Sequence, residues 1–106
     1  MESREFIDMA RKAMDPQPHT RERGADEIAD RLSAYSPAQA SALATLLSAA
    51  AASERENSTL ESQLHAILEL ASTGHVELNH ISQLHDIRLE DLPPQLREYL
   101  QDLLYT

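Results

Sequence analysis

Leucine-type residues recur along this chain at one fixed interval. Ile28, Leu64 and Leu100 are each 36 residues apart, and so are Leu32, Leu68 and Leu104. Leu60 and Leu96 keep the same interval, as do Ile67 and Leu103. A period of roughly 20–50 residues marks a chain built from similar supersecondary units. Such a unit cannot bury its apolar face alone, so neighbours stack to make a continuous core. The recurrence therefore predicts stacked units that present an extended surface, and binding of another macromolecule as the use of that surface.

Residue usage says which secondary structure the units contain. Ala and Leu supply most of the apolar residues, whereas Val occurs once and Ile five times. Ala and Leu favour helix, while strands prefer β-branched and aromatic residues. The length of 106 residues suits a single domain, 1–106, with its own core. No Cys is present, which excludes a disulfide framework and a thiol nucleophile. No apolar run approaches the roughly 18 residues of a membrane span. The start, MESREFIDMARKAM, has no apolar h-region, so a soluble, cytoplasmic protein is expected.

Periodicity and capping signals place six helices. The first spans Ser3 to Met14, with Phe6, Met9, Ala10 and Ala13 on one face, and Asp15-Pro16-Gln17-Pro18 ends it. The second spans His19 to Ala34, with Ala25, Ile28, Ala29, Leu32 and Tyr35 as its stripe. Gly24 inside it offers room for the first helix to approach. Ser36-Pro37-Ala38-Gln39 carries an N-cap, a first-position Pro and a capping box, and opens a third helix that reaches Ala52. A polar turn over 53–57 precedes a second predicted capping box, Ser58-Thr59-Leu60-Glu61. The fourth helix buries Leu60, Leu64, Ile67, Leu68 and Ala71, and Gly74 supplies a left-handed end. A short fifth helix has Asn79 as its N-cap and buries Ile81, Leu84 and Ile87. The sixth follows Pro93-Pro94 and buries Leu96, Tyr99, Leu100, Leu103 and Leu104. Short links favour antiparallel neighbours. The expected fold is all-α: three antiparallel hairpins stacked side by side, with an orthogonal six-helix bundle as the alternative.

Three helix pairs of this length, with the segment LESQLHAILELASTGHV from Leu60 to Val76, resemble a short HEAT-like or armadillo-like array. They are especially similar to small bacterial helical-repeat proteins encoded beside polymorphic or contact-dependent toxins. That resemblance implies an immunity protein, which binds a cognate toxin and neutralises it.

Charge narrows the partner. Eighteen Asp and Glu against nine Lys and Arg give a net charge of −9. The imbalance is concentrated after residue 31, where ten acids meet three bases. Such a chain repels nucleic-acid phosphates and attracts a basic protein, whose encounter it accelerates. A nuclease toxin, positively charged to hold phosphates, fits that description. In stacked hairpins the second helices line one face, where Asp26, Ser62 and Glu98 are equivalent, as are Asp30, Ala66 and Asp102. With Glu61, His65 and Glu69 they predict an acidic binding strip across three helices. Arg31 and Arg97 flank it. Tyr99 and Tyr105 are candidate interface aromatics, with a core position as the alternative for Tyr99.

Catalytic and metal signals are weaker. His75, His80 and His85 are five apart, which places successive rings on different helix faces. No HExxH and no paired Glu-x-x-His is present. Two isolated Gly exclude a glycine-rich phosphate loop. No catalytic residue, metal ligand or cofactor is assigned, and the chain is expected not to be an enzyme. A ligand- or metal-binding helical domain and a regulatory scaffold are the competing functional classes.

Overall fold

The computed structural model describes residues 1–105, and these are all-helical, with no strand among them. Five α-helices are present: α1 (Ser3–Ala13), α2 (Pro18–Asp30), α3 (Pro37–Ala52), α4 (Asn57–Ala71) and α5 (Pro94–Tyr105). A nine-residue 3₁₀ segment, Leu78–Asp86, is the sixth helical piece. Short 3₁₀ turns cover Leu32–Ala34 and Leu89–Asp91.

Local chemistry accounts for most boundaries. Asp15 Oδ1 accepts the Gln17 N–H at 2.9 Å in the proline turn, and α2 restarts with Pro18 at its first position. Ser36 Oγ accepts the Gln39 N–H at 3.1 Å and Gln39 Oε1 accepts the Ser36 N–H at 3.0 Å, completing the expected capping box of α3. Gly74 adopts φ of 83°, the left-handed conformation that a Cβ disfavours.

Three boundaries differ from expectation. α2 ends at Asp30 and the stretch 32–34 tightens to 3₁₀, because the Tyr35 hydroxyl turns back to donate to Ile28 O at 2.9 Å. Thr59 is buried, and its hydroxyl donates to Pro18 O at 3.2 Å; α4 starts at Asn57 with no side-chain cap, so the second capping box does not form. The predicted fifth α-helix is the 3₁₀ segment, kinked at Ile81 (φ −116°, ψ 21°). Asn79, His80, Ser82, His85 and Asp86 are all modest helix formers. The segment begins at Leu78 with Glu77 rather than Asn79 as its N-cap, the Glu77 N–H donating to His80 Nδ1 at 2.9 Å.

Packing follows the buried faces. α1 packs on α2 and α3 on α4 across four-residue links, α2 packs on α4, and α3 packs on the 78–86 segment. α5 meets α4 and the 78–86 segment through fewer residues. α3 is apolar or small nearly all round, burying Ala40, Leu43, Ala44, Leu47, Ser48, Ala50 and Ala51, as a helix enclosed by neighbours must. Gly24 lets α1 come close: a Cβ there would stand 2.8 Å from Ala13 N and 2.9 Å from the Lys12 carbonyl carbon. Ile28, Leu64 and Leu100 are fully buried.

Under these contacts lies an ionic lock. Arg21 on α2 donates from Nε and Nη2 to the two Glu54 oxygens, each at 2.8 Å, and from Nη1 to Asp15 O and Pro16 O. Gln63 on α4 donates to Glu54 Oε1 at 3.0 Å. The Glu54 side chain is 1 % exposed, so the 53–56 link is not simply a solvated turn. It joins the turn after α1, the turn after α3 and the buried side of α4.

Candidate functional site

The candidate site is built on the outer edge of α4 and on α5. α4 advances about 100° per residue, and Thr59, Leu60, Gln63, Leu64, Ala66, Ile67 and Leu70 are buried. That arc is wide because α2 and α3 both pack on it. Leu68 falls just beyond it. It is 40 % exposed, where the apolar stripe predicted a core position. Of its counterparts in the 36-residue register, Leu32 is half-buried and Leu104 is buried. Ala71, also expected inside, is half-buried near the end of α4.

α5 supplies the opposite wall. Leu96, Leu100, Leu103 and Leu104 face the core, whereas Gln95, Glu98 and Asp102 recur one turn apart on the outside. Tyr99 is half-buried between these two sets rather than in the core. With Leu68, the side chains of Gln95, Glu98, Tyr99 and Asp102 enclose a shallow recess of about 200 Å³.

Tyr99 organises the site. Its hydroxyl pairs with His65 Nδ1 at 2.7 Å, and the two rings meet edge to face at 6.5 Å. His65 Nε2 stands 3.9 Å from Glu69 Oε1. Burial pushes the Tyr99 pKa up, and the nearby Glu69 and Glu61 charges push it the same way. The phenol therefore stays neutral and keeps its hydrogen. Glu61, His65, Glu69, Glu98 and Asp102 are thus gathered around one ring.

The other predicted contacts lie elsewhere. Asp26 and Asp30 are exposed on α2, which packs on α1 and α4, and neither lines the recess. Tyr105 is 67 % exposed and stands edge-on to His85 at 5.9 Å, on a separate recess with Leu84, Ile87 and Leu104. Arg31 pairs with Glu5 at 3.0 Å, and Arg97 donates to Leu89 O and Leu92 O at 3.2 and 3.0 Å.

Leu68 and Gln95 are the members that sequence reasoning did not assign to the site. Leu68 matched the helical period, and only the width of the buried arc excludes it from the core. Gln95 shares the Glu98 and Asp102 stripe, which was a usable signal. The histidines do not converge: among the described residues no three His, Cys, Asp or Glu side chains form a group able to hold a metal ion. No described helix is long and apolar enough to cross a membrane.

Comparison of the chain with protein-family models, curated proteins and solved structures finds no match in any of the three.

Proposed function

We propose that this chain is a protein-binding module that captures a basic partner on the α4–α5 edge, in the cytoplasm, and works by binding rather than catalysis. The observation that carries this reading is the recess of Leu68 and Tyr99 set among Glu61, Glu69, Glu98 and Asp102. Exposed apolar surface rimmed by polar groups is the usual composition of an interaction site. Carboxylates of one sign around it steer a cationic partner and repel phosphate. Asp26 and Asp30 on α2 extend the negative field beyond the recess.

The sharper form is an immunity protein that neutralises a cognate bacterial toxin. It draws on the resemblance of the Leu60–Val76 segment and on the net charge of −9, which suits a basic nuclease. An acidic inhibitor on such a toxin competes directly with the nucleic-acid substrate.

The test is association kinetics with the basic protein recovered from the native host, using wild type and Glu98→Lys/Asp102→Lys. Charge reversal at an exposed rim is expected to slow association about tenfold at low salt and less at high salt. Circular dichroism should stay unchanged. Unaltered association would remove the α4–α5 edge as the binding face. Coexpression with the partner separates toxin from scaffold, since only a toxin arrests growth when this chain is absent.

A further inference from the structure

Opposite charges sit at the two ends of the helix row. Six of the nine Lys and Arg lie in residues 1–31, and α1 carries three of them. Lys12 is paired with Glu27 at 2.7 Å, and Glu5 with Arg31 at 3.0 Å. Arg4 and Arg11 are exposed and make no ion pair among the described residues. At about 100° per residue, Arg4, Ile7 and Arg11 fall within about 60° of one another, and Met14 continues their line at the helix end. Ile7 and Met14 are each 48 % exposed. The outer face of α1 is therefore an apolar stripe with two cations on it and Asp8 at its border. The α4–α5 edge has the complementary composition. Leu68 and Tyr99 are its apolar part, and the exposed Glu61 and Glu98 make no ion pair among the described residues. α1 packs on α2 and α3, and α5 on α4 and the 78–86 segment, so the two faces end the row α1–α2–α4–α5 and do not meet within one chain. Nucleic acid on the α1 face would leave Ile7 and Met14 in water and be repelled by the net charge of −9. Another copy of the edge supplies apolar surface and carboxylates together.

We propose that the outer face of α1 docks on the α4–α5 edge of a second copy, with Ile7 and Met14 against Leu68 and Tyr99. Arg4 and Arg11 then face Glu61 and Glu98. The contact is heterologous, so it continues from copy to copy unless its rotation closes a ring. The proposal rests on the reading that the α4–α5 edge is a binding face, and gives that face a second occupant that competes with the basic partner. Chains of charge −9 repel at long range. At about 0.15 M salt the screening length is about 8 Å, which mutes that repulsion and spares contacts between paired side chains.

Sedimentation velocity of the full chain from about 0.01 to about 1 mM, at about 0.15 M salt, tests this. The weight-average mass is expected to rise about 1.5-fold or more across that range, as a small, transient interface allows. Arg4→Glu/Arg11→Glu and Glu61→Arg/Glu98→Arg are each expected to stay monomeric alone, because both faces of each then carry like charge. All four side chains are exposed, so circular dichroism should not change. The equimolar mixture of the two variants is expected to associate. The variant with all four changes keeps the net charge of −9 and is expected to self-associate again. A wild type that stays monomeric, self-association unmoved by either pair of changes, or a fourfold variant and a mixture that both stay monomeric would overturn the proposal. Arg4→Glu/Arg11→Glu leaves the α4–α5 edge intact and should still bind the basic partner. A wild type that binds that partner but never self-associates sinks the end-to-end contact alone and leaves the acidic-edge reading standing.

Discussion

Removing the Glu54 carboxylate probes how α2 is held on the rest of the molecule, and so how the platform under the acidic edge is built. The carboxylate takes two bonds from Arg21 at 2.8 Å, one from Gln63 at 3.0 Å, and backbone N–H bonds from Arg55 and Glu56 at 3.1 and 3.3 Å. Glu54→Ala deletes the acceptor and leaves the Gln63 amide buried and the guanidinium unpaired. Breaking a buried pair from one side costs about 3–5 kcal/mol. The Arg21 side chain is 19 % exposed and regains some water, which points to the lower end, near 3 kcal/mol. Against a total stability of about 5–15 kcal/mol that is a large fraction, and it corresponds to a fall in Tm of roughly 12–24 °C. Urea unfolding of wild type, Glu54→Ala, Arg21→Met and the double variant measures it, with exposed Glu56→Ala as a control expected within about 0.5 kcal/mol. The singles should be strongly non-additive, with a coupling of about 2 kcal/mol. A loss below about 1 kcal/mol, or simple additivity, would refute the lock. Acid adds a second reading. Burial pushes the Glu54 pKa up, but the Arg21 hydrogen bonds, the Glu56 N–H and the Arg21 charge outweigh it, so the folded value is lowered. The unfolded chain then takes up this proton first. The contribution is complete above the ordinary glutamate value of about 4.3 and is lost as pH falls through the lower folded value. Glu54→Gln, which does not titrate, should flatten that part of the acid limb.

Gly24→Ala should destabilise by about 1–2 kcal/mol in thermal unfolding, because backbone overlap with α1 outweighs the gain in helix propensity of about 1 kcal/mol; a stabilised variant would mean that α1 does not approach there. Leu64→Ala should cost about 2–5 kcal/mol and Leu68→Ala less than about 1 kcal/mol, and equal losses in urea would show that the buried arc of α4 is misplaced. Burial pushes the Tyr35 pKa up to about 12, with the Asp30 charge adding to it and Arg31 opposing it. The stability this gives is present below the ordinary tyrosine value of about 10 and is lost as pH rises through about 12. Tyr35→Phe should remove that alkaline loss, and at neutral pH should cost about 1 kcal/mol for the bond to Ile28 O; an unchanged alkaline limb would argue against Tyr35 as its source.

Helix class, the α3 cap and the Gly74 turn were legible because each rests on local chemistry. Ser36 and Gln39 reach one another within a single turn, and only glycine takes the φ of Gly74 without strain. The main register of Ile28, Leu64 and Leu100 was legible for a related reason, since a leucine-type residue at the centre of an apolar stripe has only one favourable side to face. The acidic residues of α4 and α5 could likewise be placed on outward turns. The recess could not. Leu68 lies one step past the edge of the buried arc, and the edge is set by how far α2 and α3 wrap around α4. That Tyr99 joins His65 on another helix, and that Glu54 is enclosed by Arg21 from 33 residues away, depends on tertiary placement of side chains with no periodic signature. What the chain determines alone is therefore the short-range part: helix, caps, apolar stripe and net charge, all governed by neighbours within a turn or two. Which outward residues share a surface, and which polar groups lose their water, are decided by long-range packing.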